Sequence, residues 1–142
     1  MTEIVVPDAS VILKWVLPKH NEPDYERALR LRQLAIQETI IFKVPPLWLY
    51  EVGNTLSRDF PKQAKELIEL LTMFNLNEVH WTKEWLHQCV YLVQRYKVTF
   101  YDAAYHSLAI VEKGTFVTAD KQYAKKTRAI GSVETIDNWT HL

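Results

Sequence analysis

Apolar positions in this sequence come in two patterns that alternate along the chain. Short unbroken runs, such as "IVV" at residues 4–6, "IIF" at 40–42 and "FVT" at 116–118, read as buried strands. Between them lie longer stretches in which apolar residues recur every three or four positions, the spacing of one helical face. Ala28, Leu31, Leu34 and Ala35 form such a face between Asp24 and Gln37. Trp85, Leu86, Cys89, Leu92, Val93 and Tyr96 form a broader one after Thr82, a residue suited to capping. "LWLYEVGNTLSRDF" is helical in pattern although Gly53 weakens it, and Pro61 is expected in the first turn of a helix running to about Phe74. A helix opens near Asp102 and ends near Gly114, read as its C′ residue, and "KQYAKKTRA" forms another. "LNEVHW", residues 76–81, and "GSVETI", residues 131–136, are expected as further short strands. Strands alternating with helices, without glycine-rich hairpin turns, predict an α/β fold around a mostly parallel sheet.

The 142 residues suit a single domain, 1–142, with no repeat or linker inside it. Hydrophobic residues make up 48% and charged residues 24%, a balance that argues against disorder. Seventeen basic and 17 acidic side chains leave no net charge, so attraction to a nucleic acid must come from a local patch. The best such patch is "DKQYAKKTR", residues 120–128. A single cysteine, Cys89, excludes an internal disulfide, and the five histidines show no spacing that would pair with it around zinc. No apolar window approaches a membrane span, and a cytoplasmic protein without a membrane partner is expected.

The acids change this picture. Asp8 and Asp120 each follow an expected strand, where ligand sites gather in parallel sheets. Glu51 and Asp102 lie in the first turns of apolar helices, where a charge facing the core is costly. Taken singly, each has an ordinary structural explanation: Asp8 and Asp120 as helix caps, Asp102 as a partner of the helix dipole, Glu51 as half of a salt bridge. Taken together they imply more. Two carboxylates about 4 Å apart repel by about 4 kcal/mol at an effective dielectric of ~20, so a convergent cluster must protonate, recruit basic neighbours or hold a cation. Oxygen ligands suit a hard ion such as Mg²⁺ or Mn²⁺.

"VVPDAS", "LYEVGN", "YDAAYHSLA" and "FVTAD" resemble, in order, the four acidic motifs of the PIN-domain ribonucleases, and most closely the VapC-type toxins of toxin–antitoxin pairs. The similarity runs from Ile4 to about Ile136. It implies a three-layer α/β/α sandwich and a Mg²⁺- or Mn²⁺-dependent endoribonuclease leaving 5′-phosphate and 3′-hydroxyl ends. Asp8, Glu51, Asp102 and Asp120 match the family's catalytic and metal-binding acids. Ser10, Asn54 and Thr118 match its supporting polar positions, for which a cap or local backbone bond is an equal explanation. A homodimer and a small antitoxin whose tail covers the acidic pocket are also implied.

Lys14, Lys121, Lys125, Lys126 and Arg128 are candidate contacts for RNA phosphates, with Lys19 a further one. Trp15, Trp48, Tyr50 and Tyr101 lie near the acids and could stack on unpaired bases, although Trp15 and Tyr101 are expected in the core. Two other readings stay open. The same acids would serve a metal-dependent DNA or flap nuclease, because carboxylates around a cation do not themselves recognise ribose. A noncatalytic α/β binding module would use them as caps and salt bridges. A phospho-acceptor aspartate of receiver type fits less well, since further acids directly after the first strand are lacking.

Overall fold

The computed structural model describes residues 2–141; residues 1 and 142, the two ends of the expected domain, lie outside the described residues. Four strands, β1 (Glu3–Pro7), β2 (Ile40–Phe42), β3 (Thr115–Thr118) and β4 (Val133–Thr135), form one sheet in the order β2-β1-β3-β4. All three pairings are parallel. Val5, Val6 and Pro7 are buried in succession, so β1 is covered on both faces, as a parallel sheet between helical layers requires. The flanking helices are α1 (Ala9–Lys14), α2 (Tyr25–Ile36), α3 (Leu47–Asp59), α4 (Ala64–Thr72), α5 (Lys83–Tyr96), α6 (Phe100–Val111) and α7 (Lys121–Thr127). The result is the expected α/β/α sandwich. Among the described residues no helix is long and apolar enough to cross a membrane.

Register places the strand ends that matter. Pro7 pairs with Val117 and Thr118 with Thr135, and the Asp8 amide donates to the Val117 carbonyl at 2.9 Å. The carboxyl ends of the two central strands are thereby locked side by side. The anticipated caps form: Thr82 Oγ1 accepts from the Trp85 amide at 3.1 Å, and Asp8 and Asp120 cap α1 and α7.

Several expectations need correction. Residues 76–81 do not form a strand; the chain touches Val44 through one bridge at Glu78, and Asn77, with φ of 58°, turns it away. Helix α4 begins at Ala64, because Pro61–Gln63 form a turn that closes when the Gln63 amide donates to the Phe60 carbonyl. Leu86 stands exposed on α5 rather than in its apolar face, in which Trp85, Cys89 and Leu92 are buried and Val93 and Tyr96 pack partly buried against the core. The C′ residue of α6 is Lys113, with φ of 58°; Gly114 follows it, and its amide reaches the Ala109 carbonyl while that of Lys113 reaches Ile110. Gly114 serves a different need, since a Cβ there would stand 2.4 Å from the Ile4 carbonyl oxygen.

Candidate active site

Asp8 leaves the end of β1 into the sheet's central crevice. Its Oδ1 accepts from the Ala9 amide at 2.9 Å, and its Oδ2 accepts from Ser10 Oγ at 2.7 Å and Thr118 Oγ1 at 2.8 Å. The two hydroxyls are themselves held: Ser10 Oγ accepts from the Ala119 amide at 3.2 Å, and Thr118 Oγ1 from the Asp120 amide at 3.0 Å. Each hydroxyl proton is therefore directed at Asp8, which fixes the carboxylate between β1 and β3. Asp8 keeps partial solvent access yet is crowded by protein. Burial pushes its pKa up, the Ser10 and Thr118 hydroxyls pull it back, and the charge of Asp102 adds to the upward push.

Glu51 sits half-buried on α3, where its Oε1 accepts from the Tyr105 hydroxyl at 2.5 Å. Asp102 occupies the first turn of α6, its amide donating to the Thr99 cap at 3.1 Å. Asp120 caps α7 through the Tyr123 amide at 3.0 Å and is the most exposed of the four. Burial raises the pKa of both Glu51 and Asp102; the charges of Asp8 and Asp102 raise Glu51 further, and that of Asp120 raises Asp102. The acids thus act on one another in sequence, Asp102 on Asp8, Asp8 and Asp102 on Glu51, and Asp120 on Asp102. None of them is ion-paired with a lysine, arginine or histidine among the described residues.

The acids are neighbours without being packed against one another. Among the described residues, no three of His, Cys, Asp and Glu converge tightly enough to form a ready ligand set. The donors nevertheless fit a hard divalent ion in kind, being all carboxylate oxygens with no basic side chain ion-paired to them among the described residues. An ion such as Mg²⁺ keeps several waters and takes only one or two direct carboxylates, so a closed cage of three is not required.

Three buried residues that the sequence did not bring forward are tied to these acids or to one another: Tyr105 to Glu51, Tyr123 to Asp120 through its amide, and His106 to Tyr123. Tyr105 and Tyr123 are buried, each three positions after an acid of the quartet, Asp102 and Asp120. That i, i+3 spacing is the signal that would have found them. Burial raises both phenols, and the charges of Asp102 and Asp8 raise them further. His106 is fully buried, with Nε2 2.7 Å from the Gly131 carbonyl and Nδ1 2.9 Å from the Tyr123 hydroxyl. A carbonyl can only accept, so Nε2 carries the proton and Nδ1 accepts from Tyr123.

The other candidates fare unevenly. Asn54 is exposed on α3. Lys14 is not a free cation: it is 4% exposed and donates to the Pro23 carbonyl at 2.7 Å, with Glu22 at 3.4 Å, so the role of phosphate contact is withdrawn. Lys19 pairs with Glu26, Lys121 with Asp137 and Arg128 with Glu134, all on the surface, and Lys126 donates to the Lys97 carbonyl. Lys125 is exposed on α7. Trp15 and Trp48 are core residues, whereas Tyr50 and Tyr101, beside Glu51 and Asp102, are 74% and 62% exposed. The expectation that Tyr101 is buried was wrong, because it projects from the outer face of the first turn of α6.

Residues 5–129 match the model of the PIN domain. Ribonuclease VapC3 of Pyrobaculum aerophilum is 31% identical over 128 residues, covering 89% of this chain and 96% of that one. Among solved structures, VapBC-1 of nontypeable Haemophilus influenzae superposes with a TM-score of 0.69 at 15% identity, over 95% of this chain and 99% of the other. VapBC2 of Rickettsia felis, bound to a DNA fragment from its promoter, gives 0.68 at 18% identity, over 93% and 98%. A toxin–antitoxin complex from Klebsiella pneumoniae gives 0.66 at 16%, over 93% and 97%. With its sequence matched over most of its length, this chain belongs to the PIN domain family.

Proposed function

We propose that this protein is a divalent-metal-dependent endoribonuclease and the toxin of a toxin–antitoxin pair. The observation that carries the reading is the set of four carboxylates at the end of β1, on α3, on α6 and after β3, three of which, Asp8, Glu51 and Asp102, are held above the usual carboxylate range by burial and by neighbouring acids, with no basic side chain ion-paired to any of the four among the described residues. Such a set is unfavourable by itself and becomes favourable around a cation. The relative named a ribonuclease and the neighbours crystallised as toxin–antitoxin complexes support the same assignment.

Asp8, Glu51, Asp102 and Asp120 are the residues that would hold Mg²⁺ or Mn²⁺. The chemistry such an ion supplies is Lewis acidity, which makes a water easier to deprotonate and offsets charge on a phosphate. The protein's own part is positioning. Ser10 and Thr118 fix Asp8, the backbone of α7 holds Asp120, and the partial exposure of the crevice lets a phosphodiester approach. Lys121, Lys125, Lys126 and Arg128 lie directly after Asp120 and are proposed to track the RNA backbone. A small antitoxin and a second copy of the chain are the proposed protein partners, in the cytoplasm.

Matched RNA and DNA oligonucleotides incubated with the purified chain test the reading. RNA cleavage with Mg²⁺ or Mn²⁺, absent in excess chelator and in Asp102→Asn, is expected. Equal cutting of the DNA would make the protein a general nuclease, and full activity in chelator would remove the metal mechanism.

A further inference from the structure

Tyr105 stands outside the acidic quartet, yet its hydroxyl makes the one side-chain hydrogen bond to Glu51 found among the described residues. The phenol is a fixed point. It is fully buried, and its ring lies against Phe116 with centroids 5.8 Å apart and planes inclined by 21°. Glu51 has no comparable restraint of its own. It is a long side chain on a different helix, with several rotatable bonds and no cationic partner among the described residues.

The chemical type of the partner matters. A lysine or arginine at this place would orient Glu51 and also cancel its charge, and so would compete with any cation. A neutral hydroxyl donor fixes one oxygen and leaves the negative charge in place. Position matters equally, because Tyr105 and Asp102 share one face of α6 and the bond ties α3 to the helix that carries another acid. We propose that Tyr105 is a positioning residue for the metal site: it holds Glu51 Oε1 and leaves Oε2 as the oxygen offered to a divalent cation. This assignment rests on the metal-dependent reading above and extends it to a residue that touches neither metal nor substrate.

Calorimetric titration with Mn²⁺ tests it on four proteins: wild type, Tyr105→Phe, Glu51→Gln and the double variant, with Tm measured for each. Tyr105→Phe keeps the ring against Phe116 and removes only the donor. Its Mn²⁺ affinity is expected to fall roughly 10-fold, the lower end of the range for an outer partner of a metal ligand. Because Tyr105 acts through Glu51, the double variant is expected to bind no more weakly than Glu51→Gln alone. A purely structural tyrosine would lower Tm and leave the affinity of the folded protein unchanged, which overturns the assignment, as does a fully additive double variant. Wild-type protein that takes up no Mn²⁺ overturns the nuclease reading and this assignment with it. Wild-type binding that Tyr105→Phe leaves intact removes the assignment alone. Should Tyr105→Phe not fold, Tyr105→para-fluorophenylalanine refills the hydroxyl's volume without a donor and is judged by the same outcomes.

Discussion

Thr118 Oγ1 donates to Asp8 Oδ2 at 2.8 Å, joining two residues 110 positions apart in the chain. The contact exists because β1 and β3 are adjacent parallel strands whose carboxyl ends are in register. Thr118 is 1% exposed, and the same oxygen accepts from the Asp120 amide at 3.0 Å. One hydroxyl therefore orders two of the four acids. Thr118→Val keeps the shape of the side chain and removes both bonds. Hydrogen bonds to a charged group contribute about 1.5–3 kcal/mol, so urea unfolding of the variant is expected to show a loss of that order, together with reduced nuclease activity. A variant as stable and as active as wild type would mean that Ser10 and the Ala9 amide suffice to hold Asp8.

Asp102 shows the opposite behaviour, because its charge is a cost to the metal-free fold. Burial raises its pKa above that of the unfolded chain, and the charge of Asp120 adds to the effect. Its contribution to stability is therefore greatest below the unfolded value of 3.8 and declines as pH rises through the folded value. Ionising the side chain in the metal-free fold is therefore opposed by burial and by the charge of Asp120. In chelator at pH 7.5, Asp102→Asn is accordingly expected to melt above wild type. Adding Mn²⁺ should reverse the order: at 100 times its Kd a bound ion stabilises wild type by about 2.7 kcal/mol, while the variant gains little. Nuclease activity should fall by roughly 10²-fold or more, the scale of losing one group that stabilises developing charge. Melting curves with and without Mn²⁺ check both halves, and a wild-type Tm indifferent to the ion would count against a metal role for the quartet.

Much of this site was legible in the sequence because parallel α/β folds place ligands where strands end. Asp8 and Asp120 could be located from "VVPD" and "FVTAD" alone, and the helical positions of Glu51 and Asp102 from the apolar residues around them. What the sequence left open were partnerships made by tertiary contact. The side chain of Lys14 looks like a surface cation beside the first motif, but the chain between α1 and α2 folds back and buries it against Pro23 and Glu22. Tyr105 and His106 read as ordinary members of an apolar helix, since nothing local reveals that α3 supplies Glu51 or that residue 131 returns to meet His106. Residues 76–81 carried β-like residues yet found only one bridge, because strand formation depends on a neighbouring edge and not on propensity.

Gly114 gives a test of how the fold sets the site. The glycine packs against the backbone of Ile4 in β1, and an added Cβ would lie 2.4 Å from that carbonyl oxygen. Backbone cannot yield as a flexible side chain does, so Gly114→Ala must displace either β1 or the turn that leads into β3. Overpacking of this kind costs about 1–3 kcal/mol. The displaced strands are the two that present Asp8 and Thr118, and the variant is expected to lose activity at temperatures where it is still folded. Full activity in a destabilised variant would show that the strand ends hold their register independently of this contact.

His106 supplies a pH dependence of known sign. Burial lowers its pKa, with the Gly131 carbonyl bond opposing the shift, so the folded protein keeps the ring neutral where the unfolded chain would protonate it. Stability from this residue is fully present above the unfolded value of 6.5 and is lost as pH falls through the lower folded value. The structural cause is burial: a second ring proton would place a charge on a ring enclosed by protein, and Nδ1 would no longer accept from the Tyr123 hydroxyl. His106→Gln can still donate to Gly131 and accept from Tyr123 but does not titrate. The raised carboxyls of the quartet act in the opposite direction in acid, so the informative quantity is the difference between the two proteins. Urea unfolding at pH 7.5 and pH 5.5 should show wild type losing stability relative to His106→Gln as the pH falls. Parallel curves would assign the acid sensitivity to another group and leave His106 as a packing residue.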